Sequence, residues 1–238
     1  MPIGQPRLPN QRTNCGLTKI EVIAVVAVLI LLAIFFSPLR YTRASRVKCS
    51  YNLKNVGLAF RIFSTDNEDK FPMDVPVAKG GAWEFGIGTP QTGAPVYAYF
   101  RALSNEISTP KDLICPWDTR KPVKDFNSLI SNTNVSYFVA LGVKEAEPST
   151  VLVGDGKLTY NGLVKSVINL NGFQTNEGPI LGWAQGLHGT QSFHGNVVMA
   201  DGSVQQLNAQ NLNRVMYNAS LHSSNQTLLL PYQSNGKW

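Results

Sequence analysis

The amino-acid sequence predicts an α+β protein, in which one long N-terminal helix packs on an antiparallel β-sheet head. Two observations support this fold class. An apolar run at residues 17–36 is followed by an apolar stripe with helical spacing, and the rest of the chain alternates short β-branched or aromatic segments with turn residues. Only 15% of the 238 residues are charged, which excludes a disordered charged-tail protein. The length fits one folded domain with an appendage, or two small domains.

The apolar run at residues 17–36 is long enough to cross a membrane. Its 20 residues would form a helix of about 30 Å, the hydrocarbon thickness of a bilayer. A cleaved secretory signal has a shorter apolar stretch of about 7–15 residues and a small-residue cleavage site. A plain signal anchor fits the length but leaves the charges of Lys19 and Glu21 unexplained, because ionisable residues in a spanning helix are costly.

A third interpretation accounts for these features together. The segment GLTKIEVIAVVA at residues 16–27 resembles the prepilin-type cleavage and methylation motif of type IV pilins and type II secretion pseudopilins. The resemblance implies that residues 1–16 are a leader, that a prepilin peptidase cleaves between Gly16 and Leu17, and that the new amine of Leu17 is methylated. Loss of Arg7 and Arg12 with the leader would take the side-chain charge from +6 to +4.

Glu21 is the predicted element of subunit registration. It follows Leu17 by four residues, so the new ammonium group and the Glu21 carboxylate share one helical face. They can pair within a chain or between staggered neighbours, and in a low-dielectric layer this pairing favours one stagger. The alternative is that Glu21 is solvated at the level of the lipid headgroups.

A helical apolar pattern continues beyond the membrane segment. Five apolar residues recur at spacings of 4, 3, 4 and 3, and we expect Leu58 and Ile62 to widen their stripe. The five are Cys49, Leu53, Val56, Phe60 and Phe63. They predict an amphipathic stem over residues 37–64, so that the complete helix covers residues 17–64 and about 72 Å.

Pro38 lies between the membrane segment and the stem. Proline removes one helical hydrogen bond, so we expect a kink at the membrane surface. The alternative is that Pro38 ends the first helix and that a second one begins near Tyr41.

Residues 65–238 are the predicted β-rich head. Strand-like segments occur at residues 135–141, 150–153 and 163–170. Asp201 and Gly202 separate two further strand-like runs and predict a hairpin with a two-residue turn, in which both positions need a positive φ. Asn208 is a candidate cap for a short C-terminal helix.

Four segments of the stem and head resemble the pseudopilin-like proteins that are abundant in planctomycetes and verrucomicrobia. They are VKCSYNLKNVGLA at 47–59, ICPWDTR at 114–120, NVSYF at 134–138 and GNVVMADGSVQQ at 195–206. Those proteins end in a His residue followed by Asp-Gly. The corresponding head-motif residues here are His188 or His194 with Gly195, Asn196, Asp201 and Gly202, and the spacing leaves open which His corresponds.

The sequence predicts no catalytic site. Asp155, His188, His194 and Asp201 match no zinc-ligand spacing, and no P-loop, nucleophile-elbow or dinucleotide motif occurs. No cofactor is expected, with the reservation that Asp155, near Glu145 and Glu147, is a weak calcium candidate without a twelve-residue ligand loop. Basic residues form no phosphate-tracking stripe despite the charge of +6, so nucleic acid is not an expected partner.

Two of the three cysteines remain after predicted processing, because Cys15 leaves with the leader. Cys49 and Cys115 could form a disulfide in a periplasmic head, worth up to roughly 4 kcal/mol across the intervening chain. Two buried free thiols are the alternative, since Cys49 belongs to the apolar stripe.

The sequence thus predicts a structural subunit and not an enzyme. We expect a single-pass protein of the bacterial inner membrane with its head in the periplasm, or in a cell-envelope filament of the type II secretion or pilus kind. The expected partners are the prepilin peptidase, like or related pseudopilin subunits and membrane lipid. The second interpretation is a membrane-anchored periplasmic or surface binding domain that uses a pilin-like signal.

Overall fold

A computed structural model describes residues 16, 18–86, 95–171, 173, 180–184, 194–222 and 226–232. For residues 35–44, 46 and 222 it describes the backbone alone. The described ranges contain the helices α1 (Lys19–Asp66), α2 (Val96–Ala102) and α3 (Ala209–His222). They also contain short 3₁₀ helices at Pro72–Asp74, Val77–Lys79, Trp83–Phe85, Pro110–Leu113, Phe126–Ser128 and Asn132–Asn134.

Nine strands occur in the described ranges. They are β1 (Tyr137–Leu141), β2 (Val151–Asp155), β3 (Leu158–Tyr160), β4 (Leu163–Val164), β5 (Val167–Asn169), β6 (Leu181–Trp183), β7 (His194–Met199), β8 (Val204–Asn208) and β9 (Thr227–Leu229). Six form one sheet in the order β5-β9-β1-β2-β7-β8, and three form a second sheet in the order β4-β3-β6. Every pairing is antiparallel, so the α+β class with an antiparallel sheet is confirmed.

The long helix α1 runs from Lys19 to Asp66, two residues beyond its predicted end. It is helical through Pro38, so the alternative of a second helix beginning near Tyr41 is wrong. The side chain of Pro38 lies outside the described residues, and the kink there stays a prediction. The chain divides into two compact units, Met1–Tyr41 and Thr42–Trp238.

A search of the described residues for a helix long and apolar enough to cross a membrane found none.

Within the second unit, α1 packs on the head through the apolar stripe that the sequence predicted. Cys49, Leu53, Val56, Phe60 and Phe63 are all at most 4% exposed. The ring of Phe60 makes edge-to-face contacts with Phe71 and with Phe100, each at a centroid distance of 6.2 Å. We call these five residues the inner stripe.

The predicted widening of the inner stripe is wrong. Leu58 is 57% exposed and Ile62 is 41% exposed. At 3.6 residues per turn, Leu58 lies about 140° around the helix from Leu53 and therefore points away from the head. Apolar character alone could not show on which side of α1 these two side chains lie.

The predicted hairpin joins β7 to β8, but its turn differs from the prediction. The connection has four residues, 200–203, and Gly202 has a positive φ of 82° while Asp201 does not. Asp201 instead accepts a hydrogen bond from the backbone N–H of Ser203 through Oδ1, at 2.8 Å. A two-residue turn with both φ positive occurs between β3 and β4, at Asn161 (50°) and Gly162 (75°), the strong Asn-Gly signal that the sequence analysis missed.

The predicted cap of the C-terminal helix is confirmed. The side-chain oxygen of Asn208 accepts a hydrogen bond from the backbone N–H of Asn211 at 2.8 Å, immediately before α3 begins. Leu212, Met216 and Ala219 are buried on the inner side of α3, which packs against β6 and β8.

Gly57 permits the close approach of α1 to the β7–β8 hairpin. A Cβ atom at this position would stand 2.5 Å from Cγ1 of Val198 and 3.5 Å from the carbonyl oxygen of Gly202. A side chain at position 57 would therefore overlap the hairpin, which explains why α1 has a glycine here. In a helix interior, glycine otherwise destabilises the helix by roughly 1 kcal/mol relative to alanine.

Substitution Gly57→Ala tests this packing, because its effect on the free energy of unfolding should have the opposite sign to that at an open helix position. At an open helix position the change stabilises by up to about 1 kcal/mol, whereas here we expect destabilisation by about 1–3 kcal/mol because the new methyl group overlaps Val198. Urea unfolding of the full chain in detergent measures the difference. Lys54→Ala, at an exposed position of the same helix, is the control and should stay within about 0.5 kcal/mol.

Candidate functional site

The N-terminal end of α1 has a capping box formed by Thr18 and Glu21. One carboxylate oxygen of Glu21 accepts hydrogen bonds from the backbone N–H of Thr18 at 2.8 Å and from its hydroxyl at 2.9 Å. In return, the backbone N–H of Glu21 donates to the Thr18 hydroxyl oxygen at 3.4 Å. This reciprocal arrangement satisfies N–H groups that the first helical turn leaves open.

The capping box gives Glu21 a local role that the sequence analysis did not consider. The pattern Thr-x-x-Glu at residues 18–21 was a readable signal for it. The same contact shows that the Glu21 carboxylate reaches back to the residue adjacent to Leu17. Gly16 is exposed, and Leu17 itself lies outside the described residues.

Residues 22–34 of α1 are all apolar, and all of them are exposed. Every residue at positions 18–34 is exposed. The large hydrophobic ones among them are between 47% and 79% exposed: Ile20, Val22, Ile23, Val25, Val26, Val28, Leu29, Ile30, Leu31, Leu32 and Ile34. An exposed surface of this kind marks contact with lipid or with protein.

The second half of α1 carries a further exposed apolar stripe, which we call the outer stripe. It consists of Val47, Tyr51, Leu58 and Ile62, which are 41% to 71% exposed. At about 100° per residue these four positions fall within about 60° of one another, on the side of α1 opposite the inner stripe. The head therefore covers one apolar face of this half and leaves the other open.

A buried polar cluster, which we call the Asp155 cluster, connects α1 to the centre of the large sheet. Oδ2 of Asp155, on β2, accepts hydrogen bonds from the backbone N–H of Asn196 on β7 at 2.6 Å and from its side-chain amide at 3.2 Å. The hydroxyl of Ser50 on α1 lies 3.2 Å from the Asn196 side-chain oxygen. Oδ1 of Asp155 lies 3.4 Å from Sγ of Cys49, and that sulfur lies 2.8 Å from Sγ of Cys115.

The Asp155 cluster is closed to solvent. Asp155 and Cys49 are fully buried, Cys115 is 2% exposed and Asn196 is 2% exposed. The contact with the Cys115 thiol, together with burial and the nearby Asp155 carboxylate, raises the pKa of Cys49 far above its ordinary value. Both cysteines are thiols in this structure.

Tyr137 adds a buried hydroxyl beside the Asp155 cluster. Burial, and then the nearness of the ionisable groups of Cys49, Cys115 and Asp155, hold the pKa of Tyr137 well above its usual range. The nearby side-chain amide of Asn52 acts in the opposite direction and lowers the pKa of Tyr137. That amide donates a hydrogen bond to the backbone carbonyl of Ile114 at 3.0 Å. Within the described part of the chain, the Tyr137 hydroxyl has no partner at hydrogen-bonding geometry.

The donor atoms of the Asp155 cluster are not those of a calcium site, for which Asp155 was a weak candidate. Cys49, Cys115 and Asp155 bring three ligand-type atoms within 4.8 Å of one another, the one such group among the described residues. Two of the three are sulfur, whereas calcium requires six to eight oxygen ligands. Asp155 belongs to strand β2 and not to a loop, and Glu145 instead forms an ion pair with Arg61, so these acids do not converge.

The described residues of the head motif lie on β7 and in the turn that follows it. His194 is exposed at the start of β7 and pairs with Asn208, while His188 lies outside the described residues. A Cβ atom at Gly195 would stand 2.5 Å from the ring of Trp183, so the glycine makes room for that indole. With Asn196 bound to Asp155, and with Asp201 and Gly202 shaping the turn, these motif positions serve folding.

The segment ICPWDTR binds the loop after Cys115 to the start of β1. The Asp118 carboxylate accepts a hydrogen bond from the Ser136 hydroxyl at 2.8 Å and lies 3.6 Å from Nε of Arg120. The Arg120 guanidinium also donates to the carbonyls of Asn132 and Val135. Both side chains of this ion pair are 5% exposed.

The head also has a half-open groove of about 310 Å³ between the segment before β2 and helix α3. Its lining residues are Ala146, Glu147, Pro148, Ser149, Thr150, Asn218 and Ala219. The groove contains none of the residues of the Asp155 cluster, and its mixed apolar and polar lining specifies no reaction.

Comparison of the chain with known protein families, curated proteins and solved structures found no match.

Asp155→Asn tests the importance of the carboxylate in the Asp155 cluster. The amide keeps the shape but loses the charge that strengthens two hydrogen bonds to Asn196, so we expect destabilisation by about 1–3 kcal/mol in urea unfolding. Asp201→Asn is the matched control, because its amide oxygen can still accept from Ser203 at an exposed site. Equal stability of Asp155→Asn and Asp201→Asn would show that the buried charge contributes nothing.

Proposed function

We propose that this chain is a type IV pilin-like or type II secretion pseudopilin subunit. A prepilin peptidase processes it between Gly16 and Leu17, and it assembles through α1 into a filament of the cell envelope. Residues 17–36 cross the inner membrane once before assembly, and the β-rich head lies in the periplasm. Its work is mechanical, and the proposal assigns no reaction to it.

The observation that carries this proposal is the exposed apolar surface of α1 at residues 20–34. A helix that is apolar on all sides needs lipid or neighbouring helices around it. The proposed subunit meets both conditions in turn, first in the membrane and then among the helices of a filament.

The contact between Glu21 and Thr18 supports the proposed registration. The Glu21 carboxylate already bonds the backbone N–H of the residue after Leu17. Cleavage after Gly16 would create an ammonium group on Leu17, the residue before Thr18. This group could pair with the Glu21 carboxylate of its own chain or of a neighbouring subunit. In a low-dielectric filament core, each of these charges is costly unless it is paired.

The outer stripe supports contacts between neighbouring subunits. Val47, Tyr51, Leu58 and Ile62 form an apolar face that the head does not cover. In a filament, the helices of neighbouring subunits would cover this face.

The groove beside α3 favours a second candidate function, a membrane-anchored binding domain that uses the pilin-like signal for sorting. Its volume of about 310 Å³ is in the range of small-ligand sites. In that function α1 is an anchor alone, so the charge of Glu21 would have no role in assembly.

Mass spectrometry of the protein extracted from its native membrane tests processing. We expect a chain that begins at N-methylated Leu17, shorter than the full sequence by sixteen residues. Substitution Gly16→Ala tests the same step, and it should leave the leader attached while the head stays folded. An intact Met1 in the native protein, or a start near Ser45, would overturn the proposal.

The variant Glu21→Gln separates capping from charge pairing. A glutamine oxygen can still accept the Thr18 N–H in the capping box, but it cannot neutralise an ammonium group. We therefore expect Glu21→Gln to be processed and inserted, yet to lose at least nine-tenths of its incorporation into sheared filaments or its crosslinking to neighbouring subunits.

Thr18→Ala is the matched control for this experiment. It removes the capping hydroxyl and keeps the Glu21 charge, at a cost of about 1 kcal/mol to the helix end. We expect its incorporation to stay near that of the unmodified chain. Normal assembly of Glu21→Gln would instead favour the anchored binding domain.

A further inference from the structure

We propose that Cys49 and Cys115 form a disulfide that fastens α1 to the head. The bond would join the inner stripe of the helix to the segment that follows the 3₁₀ helix Pro110–Leu113. The inference rests on the proposed function in one respect, because a head in the periplasm meets the oxidising conditions in which disulfides persist.

The distance between the two sulfur atoms favours a covalent bond. The Sγ atoms lie 2.8 Å apart. A disulfide of about 2.05 Å requires them to approach by less than 1 Å. Two thiolates on one zinc ion, with bonds of about 2.3 Å at tetrahedral angles, would have to stand about 3.8 Å apart, and the pair would have to separate.

The chemistry of the Asp155 cluster favours the same outcome. Zinc needs deprotonated cysteines and usually four ligands, whereas this group offers three donor atoms. A disulfide carries no charge, and the Asp155 carboxylate already accepts two hydrogen bonds from Asn196 without a metal.

The disulfide would reinforce contacts that already hold the same two segments together. The Asn52 amide donates to the Ile114 carbonyl at 3.0 Å, and the Asn55 amide donates to the Asp112 carboxylate at 3.0 Å. Cys49 lies one turn before Asn52 on α1, at the start of the inner stripe. A pull on α1 in an assembled filament would therefore reach the head through a covalent bond at Cys49, near the start of the buried part of the helix.

The oxidation is a two-electron step. Two S–H bonds break and one S–S bond forms, while two protons and two electrons pass to a second disulfide, which is reduced to two thiols. The oxidant is thus a disulfide-exchange protein of the envelope or a small disulfide such as oxidised glutathione. Because both cysteines are buried in the folded head, the exchange takes place during folding.

Peptide mapping of the native protein tests the bond directly. The full protein is extracted with N-ethylmaleimide present, unfolded without reductant, and digested. We expect one cross-linked peptide containing Cys49 and Cys115, two hydrogens lighter than the reduced pair and free of maleimide. Recovery of both cysteines as maleimide adducts would overturn the proposal. So would one zinc ion per chain with labelling only after chelation.

Cys15 makes this experiment independent of the proposed function. In a processed chain its peptide is absent, whereas in an unprocessed chain it appears as a maleimide adduct. Failure of the disulfide is read from Cys49 and Cys115, and failure of processing is read from Cys15. The two results cannot be confused.

Refolding gives a second test that needs no native source. Reduced full-length protein refolded in detergent with oxidised glutathione should lose the thiols of Cys49 and Cys115, and its unfolding equilibrium constant should fall roughly a thousand-fold relative to the reduced form. The double variant Cys49→Ser/Cys115→Ser should show no change on addition of glutathione disulfide or reductant. Equal stability of the oxidised and reduced wild-type protein would contradict a fastening role.

Discussion

One buried carboxylate, that of Asp155, links α1 to the interior of the large sheet. Asp155 lies at the end of β2, accepts the backbone N–H of Asn196 on β7, and lies next to Cys49 on α1. A fully buried acid is stable only where hydrogen bonds replace its lost hydration, and here the neighbouring strand provides them. These contacts join two interior strands of the sheet to the long helix at the start of the inner stripe.

The short sequence motifs of the head provide the residues that surround this buried carboxylate. Asn196 and Gly195 follow one another on β7, the first bound to Asp155 and the second leaving room for Trp183. The segment at residues 114–120 positions Cys115 and holds the start of β1 through Asp118 and Arg120. These polar residues are thus used in packing and in hydrogen bonds within the head.

The two apolar faces of α1 have different roles. The inner stripe is buried by the head, and its energy holds the second half of α1 in place. The outer stripe and the apolar residues at positions 20–34 remain exposed. Contact of such large apolar surfaces with water is unfavourable in free energy. The proposed function would cover these exposed surfaces with lipid first and with like helices after assembly.

The sequence by itself determined the α+β class, the long helix, the inner stripe, the β7–β8 hairpin and the Asn208 cap, because each of these reflects local periodicity or a local hydrogen bond. Tertiary structure alone decided that the Asp201–Gly202 turn needs four residues and that Asp155 belongs to a buried strand, whereas helical spacing already places Leu58 and Ile62 opposite the inner stripe. The sequence left open whether Cys49 and Cys115 meet, and it gave no sign that Asp155 lies beside them, since these contacts span 66 and 106 positions of the chain. Such contacts depend on how the strands pair and on where the helix lies, and no local pattern records either.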